Sequence, residues 1–375
     1  MRLLLITQKV DRDDWVLGFV HTWLEHLAAR AGRLDVLAGR TGRVALPSNV
    51  RMFALRRSAG VSRTQLLLRW HALMRQLMAE GQDAVLAHMC PHYAILAAPY
   101  ARLAGVPLGL WYTHRSVDWR LRVAHALVDV VLTASRESFR LPSRKVRILG
   151  HGIDTTAFSP GPAPEGPPVV LSAGRISPTK GHDVVLDAAA RLAAYPQVPP
   201  FEVHVAGEVH VAADAAYRAR LEARAAQPDL AGRVRWLGAV PHARMPVVYR
   251  SARVFVNCSD TGSLDKAVLE AMACGTPVLT SNEAFAALLG EERLGPLPPV
   301  LGGSLTFPRR DTEALADKLA ALLTLDAASR EALGARLRRI VVEEHDLDVL
   351  AQRIVEALAP TGAREAARRP MQAPE

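Results

Sequence analysis

The chain has 375 residues, of which 46 are Lys or Arg and 37 are Asp or Glu, giving a formal net charge of +9. Half of the residues are apolar and only 5% are aromatic. That length exceeds one ordinary core and suits two α/β domains, and the Ala/Leu/Val-rich, aromatic-poor mix argues against a β-sandwich.

The basic balance fits an acidic small molecule, a nucleic acid or an anionic membrane. The arginines are scattered apart from Arg364, Arg368 and Arg369, and neither an RNA-recognition signature nor metal-finger spacing is present, so nucleic acid is not an expected partner. The three cysteines, Cys90, Cys258 and Cys274, have no paired spacing. They argue against a disulfide framework or a zinc site and for a reducing, cytoplasmic setting. Residues 1–6 are apolar, but Gln8, Lys9 and Asp11 end the run too early for a signal peptide. No apolar run reaches the ~18–20 residues of a membrane helix. Contact with an anionic membrane is therefore expected only from the surface, at its inner face.

Short apolar runs alternate with helical patterns along the chain. Strands are predicted at 3–7, 34–37, 84–87, 106–112, 128–133 and 146–149, and helices at 18–31, 66–79 and 93–104. On the first helix, Phe19, Trp23, Leu24 and Leu27 share a face. This rhythm predicts a parallel, doubly wound sheet. The Pro/Gly-rich stretch 158–168 cannot hold a helix or central strand and reads as a linker. The rhythm restarts with strands at 169–173, 201–206, 233–237, 254–257 and 276–280. Helices are predicted at 184–194, 212–226, 264–273 and 312–323. The predicted domains are 1–157 and 169–342, with a helix at 343–360 returning to the first domain and a disordered tail at 361–375. Two such domains leave a cleft, the favoured place for a ligand.

Two segments carry chemistry. In the first, strand 169–173 runs into Gly174, Arg175 and Lys180 before a helix. Cations at the carboxyl end of a parallel strand face the ligand crevice and suit a diphosphate, Arg175 as a planar fork and Lys180 as a mobile charge. Otherwise they are surface charges, in the electrostatically unhelpful position near a helix start. In the second, strand 254–257 ends before Asp260-Thr261-Gly262-Ser263-Leu264-Asp265, and a helix follows to Gly275 and Pro277. The turn amides and the helix N-terminus make an anion site. Glu270 lies among apolar neighbours, so it either meets hydroxyls such as a ribose pair or sits at the helix edge with Lys266.

Together these segments resemble glycosyltransferase family 4, retaining enzymes of the GT-B fold, over most of the chain. The resemblance rests on Gly174-Arg175 with Lys180-Gly181, Ala206-Gly207-Glu208 after a strand, and His151-Gly152-Ile153-Asp154 with Phe158. The most specific run is Leu269-Glu270-Ala271-Met272-Ala273-Cys274-Gly275 with Pro277. It implies two Rossmann-like domains facing each other across a cleft, the first on the acceptor side and the second on the donor side. It further implies that Arg175 and Lys180 grip the donor diphosphate and that Glu270 binds the donor ribose. Gly262, Ser263, Leu264 and Asp265 would line the donor with Gly174 and Gly207, and His114 would lie near the reacting sugar. The acceptor side would involve Gly18 and Asp14. Same-face attack, with the leaving phosphate taking the acceptor's proton, follows from the same resemblance. The expected partners are a nucleotide-sugar donor and a sugar, lipid-linked or small-molecule acceptor.

Two departures stand out. The family has a glutamate eight residues before the position of Glu270, where this chain has Gly262, leaving Asp260 or Asp265 as substitutes. In place of the family's Gly-Gly pair the chain has Trp15-Val16-Leu17-Gly18-Phe19. Asp11-Arg12-Asp13-Asp14 matches an Asp-x-Asp metal motif superficially, but is read as a solvated loop facing the acceptor. His88, Cys90, His92 and His114 lack a recurring metal-ligand spacing, so no metal or other cofactor is expected. Two rival functions share the donor contacts: a nucleotide-sugar epimerase or hydrolase using His114 with an acidic partner, and a non-catalytic nucleotide-sugar-binding protein.

Overall fold

The computed structural model describes residues 1–56, 60–162 and 165–359. The predicted tail at 361–375, with Arg364, Arg368 and Arg369, lies outside the described residues. The described chain folds into two compact units, one formed by Met1–Gly152 together with residues 347–359 and the other by Ile153–Asp346.

The first unit begins β1 (Arg2–Val10), α1 (Phe19–Arg30), β2 (Arg33–Thr41), β3 (Val50–Ala54), α2 (Arg63–Ala79) and β4 (Ala84–His88). It continues α3 (Pro91–Leu103), β5 (Leu108–Trp111), α4 (Trp119–Leu127), β6 (Val130–Thr133) and β7 (Val146–Ile148). The strands make one parallel sheet in the order β3-β2-β1-β4-β5-β6-β7. Its central strands are apolar on both faces because helices cover both. Leu3 and Leu5 of β1 pack with Trp23 and Leu24 of α1. Leu4 and Ile6, pointing the other way, pack with Trp70 and Met74 of α2 and with Ala94 of α3.

The second unit begins β8 (Val169–Ala173), α5 (His182–Leu192), β9 (Glu202–Ala206), α6 (Ala215–Ala225), β10 (Val234–Gly238), α7 (Met245–Arg250) and β11 (Val254–Asn257). It continues α8 (Lys266–Ala273), β12 (Val278–Thr280), α9 (Glu291–Leu294), α10 (Thr312–Thr324) and α11 (Ala327–Glu344). Its five strands are parallel in the order β10-β9-β8-β11-β12. The chain turns outward from β8 in both directions, so the carboxyl ends of β8 and β11 flank a topological switch point. Phe158, in the Pro/Gly stretch, is buried in this unit's core. The last helix, α12 (Leu347–Leu358), belongs to the first unit, where Leu350, Ile354 and Leu358 join the cluster of Trp23 and Leu24.

Both sheets follow the predicted β-then-α rhythm, with five elements beyond it: β3, α4, α7, α9 and α11. β3 is an edge strand whose residues are all half-buried, so its alternation is weak. α4 buries only Leu121 and Ala124 and owes its start to Asp118, whose carboxylate accepts from the Leu121 amide at 2.8 Å. α7 has only six residues, and α11 carries charged residues around most of its surface. α8 begins two residues later than predicted, with Asp265 as its N-cap.

Candidate active site

The loop leaving β8 is built on glycine pairing. Gly174 has φ +148° and Gly207 φ +146°, and a Cβ on Gly207 would stand 1.8 Å from the Gly174 carbonyl oxygen. Two strand ends approach here more closely than any side chain allows. The Gly174 amide donates to Ala206 O at 2.9 Å, and that of Ile176 to Glu208 O at 3.0 Å. Beneath the loop His182 is 1% exposed. Its Nε2 donates to Arg175 O at 3.2 Å, which leaves Nδ1 to accept from Ser172 Oγ at 2.9 Å. Burial pushes this imidazole down to about 4, helped by the Lys180 charge, so it is neutral near pH 7. Arg175 is exposed and has no carboxylate partner among the described residues.

Lys180 closes a single turn, Pro178–Lys180, ahead of Gly181 at φ +64°. Its Nζ reaches Asp265 Oδ2 at 2.5 Å, and both side chains are largely buried. Burial works to raise the Asp265 pKa, but the charge and hydrogen bond of Lys180 outweigh it, with help from Asn257, and the carboxyl lies below the usual range. Asn257 Nδ2 donates to the same oxygen at 3.2 Å. Asn257 Oδ1 accepts from Thr280 Oγ1 at 3.2 Å, and Asn282 Nδ2 donates to Ser263 O at 2.8 Å. The Asp260 amide donates to Thr179 O at 3.0 Å. A buried amide network thus ties the turn after β11 to the loop after β8. Gly262 sits in that turn at φ +57° and Leu264 is buried beside it. Lys266 is half-buried, and desolvation lowers its pKa to about 8.

Glu270, one turn further along α8, is 5% exposed. His242 Nε2 lies 2.9 Å from Oε1, and the Tyr249 hydroxyl donates to Oε2 at 3.0 Å. Burial and the adjacent carboxylate hold the Tyr249 phenol well above its ordinary value. Phe158 packs on both partners, its ring centroid 5.2 Å from that of His242 and 6.1 Å from that of Tyr249. Each oxygen of Glu270 keeps capacity for a second donor.

His114, Gly18 and Asp14 belong to the first unit. His114 is exposed after β5 and accepts at Nδ1 from the Ser116 amide at 3.1 Å. Asp14 accepts from the amides of Val16 at 2.8 Å and Leu17 at 2.6 Å, so it shapes the turn before α1. Gly18 is in that turn with ordinary helical angles. Lys9 Nζ lies 2.9 Å from Asp11 and 2.5 Å from Asp14, while Asp13 pairs with Arg43. His88 is buried with Nδ1 3.0 Å from Thr7 Oγ1, and burial raises the Cys90 thiol to about 11. Among the described residues no group of three or more His, Cys, Asp or Glu is arranged to hold a metal. Met89, at the end of β4, takes φ +63°, a strained value for a side-chain-bearing residue.

The sequence reading did not single out His182, His242, Tyr249, Asn257 or Asn282. The one available signal was polar residues placed at the ends of apolar strands or inside apolar helices.

Residues 154–340 match the family described as Glycosyl transferases group 1. Among curated relatives, D-inositol 3-phosphate glycosyltransferase of Geodermatophilus obscurus is 33% identical over 207 residues, 52% of this chain and 43% of the relative. Lipopolysaccharide core biosynthesis mannosyltransferase LpsB of Rhizobium meliloti is 28% identical over 250 residues, 61% of this chain and 66% of the relative. The chain thus matches from under half to just under two thirds of these relatives' lengths. The crystal structure of Anabaena Alr3699/HepE in complex with UDP superposes with a TM-score of 0.71 over 96% of this chain and 99% of that one. At 19% identity that likeness speaks to the fold: parallel-sheet α/β units of the GT-B kind. The family match spans nearly all of the second unit, the one that carries the β8 loop and Glu270.

Proposed function

We propose that this chain is a glycosyltransferase that moves a sugar from a nucleotide-diphosphate sugar to a sugar, lipid-linked or small-molecule acceptor. The transfer keeps the anomeric configuration and needs no metal ion. The observation that carries this reading is the meeting of Lys180 with Asp265 at the carboxyl ends of β8 and β11, with Arg175 exposed on the same loop.

An incoming diphosphate competes with Asp265 for the Lys180 ammonium and takes the Arg175 fork, which has no other carboxylate to satisfy. Departure of the nucleoside diphosphate builds negative charge on the leaving oxygen. Groups already fixed by the buried amide network stabilise that charge without rearranging, and one such contact is worth about 2.7–4 kcal/mol of barrier. Glu270, oriented by His242 and Tyr249, accepts from the donor ribose. Acceptor recognition is assigned to the first unit, with Asp14 and Gly18 shaping its first turn and His114 near the reacting sugar. The protein works in the cytoplasm, and any membrane contact is peripheral. No helix among the described residues is long and apolar enough to cross a membrane.

The test replaces Arg175 and Lys180 by Ala separately and measures transfer and donor hydrolysis over a panel of UDP-, GDP-, ADP- and dTDP-sugars. UDP-sugars come first because HepE structures carry UDP and UDP-glucose. A 10²–10³-fold loss in kcat is expected for each variant. Unchanged rates in both would end the phosphate-clamp reading, and an inverted product anomer by NMR would end retention.

A further inference from the structure

The second unit holds another cavity, of about 560 Å³, at the end of its sheet opposite the β8 loop. Pro277, just before β12, and Ala252, two residues before β11, form part of its wall. The end of α8 (Cys274, Gly275) and one side of α11 complete it. α11 comes in backbone to backbone here, since a Cβ on Gly334 would lie 2.2 Å from Gly275 O.

The lining combines an apolar floor with an excess of guanidinium groups. Pro160, Pro162, Pro277 and Val342 supply the floor. Four arginines, Arg250, Arg330, Arg338 and Arg339, face two carboxylates, Glu331 and Glu343. Arg338 spends its donors on main-chain oxygens of Thr155 at 3.0 Å, Phe158 at 2.9 Å and Ala273 at 2.6 Å. Among the described residues, Arg250, Arg330 and Arg339 form no ion pair, and neither do Glu331 and Glu343. Guanidinium groups that line one cavity without an ion-pair partner favour an anion, phosphate or carboxylate in particular. The volume falls within the ~300–1,000 Å³ of small-molecule sites.

We propose that this cavity is a binding site for a small organic anion, a phosphate or carboxylate carried on an apolar body. The arginines take the charged group and the proline floor takes the body. The site is separate from the one assigned to the sugar donor, and its occupant touches the opposite end of α8 from Asp265. It stands whether or not the transferase reading does.

The test is calorimetric titration of the full chain with phenyl phosphate, with inorganic phosphate and benzyl alcohol as single-feature controls. Saturable phenyl phosphate binding is expected, with each control weaker by roughly tenfold or more. Arg330→Ala with Arg339→Ala, the two cavity-lining arginines of α11 that form no ion pair among the described residues, should weaken binding by roughly tenfold while leaving the melting temperature in place. Ala335→Trp should block the cavity, and Lys180→Ala should bind as the parent does. The proposal is overturned if phenyl phosphate fails to saturate at about 10 mM or if inorganic phosphate binds as tightly. It is equally overturned if the double arginine variant binds normally, or if Lys180→Ala alone removes binding, which would place the anion at the donor loop.

Discussion

Lys180 and Asp265 stand 85 positions apart in sequence, yet their charged atoms meet at 2.5 Å. Each is the other's counter-ion, with side-chain exposures of only 13% and 12%. Asp265→Asn leaves the ammonium in a poorly solvated place without its partner. Such a loss costs about 3–5 kcal/mol, measured as a lower urea midpoint. The dependence on pH follows from the depressed carboxyl. The unfolded chain takes up this proton first as pH falls, so the contribution is present above the ordinary value of 3.8 and is lost as pH drops through the lower folded value. The parent's advantage over Asp265→Asn should therefore shrink below pH 3.8.

Gly207→Ala should be among the most damaging small substitutions in the second unit. Its new methyl would fall 1.8 Å from a backbone oxygen, which cannot swing aside as a side-chain tip can. Gly232, at φ +77° with nothing within 4 Å, is the control. Gly232→Ala should cost only the ~1–2 kcal/mol of a left-handed residue, whereas Gly207→Ala adds displacement of the loop bearing Arg175. Thermal unfolding, with donor titration of whatever remains folded, separates the two; equal losses would refute the close-approach argument.

Tyr249→Phe removes one hydroxyl and nothing else from around Glu270. The carboxylate oxygen it leaves behind is buried, so the cost should be about 1–3 kcal/mol. Donor affinity should fall in the same variant, because the carboxylate loses one of the two groups that orient it. A fall in stability with unchanged donor affinity would separate Glu270 from the nucleotide.

His182 provides a titration in a different range. Burial holds its folded-state value at about 4 against an ordinary 6.5. The unfolded chain therefore binds the proton first, and stability is complete above 6.5 and declines as pH falls toward 4. His182→Asn should flatten that segment of the stability curve. Chemical denaturation at half-unit pH steps would show it.

Much of the architecture was readable because a buried parallel strand advertises itself locally. The run 3–7 lies within β1, 169–173 coincides with β8 and 254–257 with β11. The cations and Glu270 stood out for a similar reason, as charges placed where apolar neighbours led into a turn. What those charges touch was not readable. His242 and Tyr249 lie 28 and 21 positions from Glu270, and Asp265 could be named as a donor-lining residue and a substitute for an absent carboxylate, but not as the neighbour of Lys180. Periodicity reports which face of an element is covered and says nothing of which distant residue covers it. α4 escaped for the opposite reason, since a capping aspartate and two buried side chains leave too faint a stripe to see.

The chain leaves its first unit at Gly152 and re-enters it at Leu347. During synthesis that unit therefore waits, with the groove for Leu350, Ile354 and Leu358 open, until nearly two hundred further residues have emerged, while the second unit is continuous and complete beforehand. A fragment ending at Gly152 would leave Trp23 and Leu24 without that cover and should aggregate. One spanning 153–346 should be the piece that can be cut out and kept in solution.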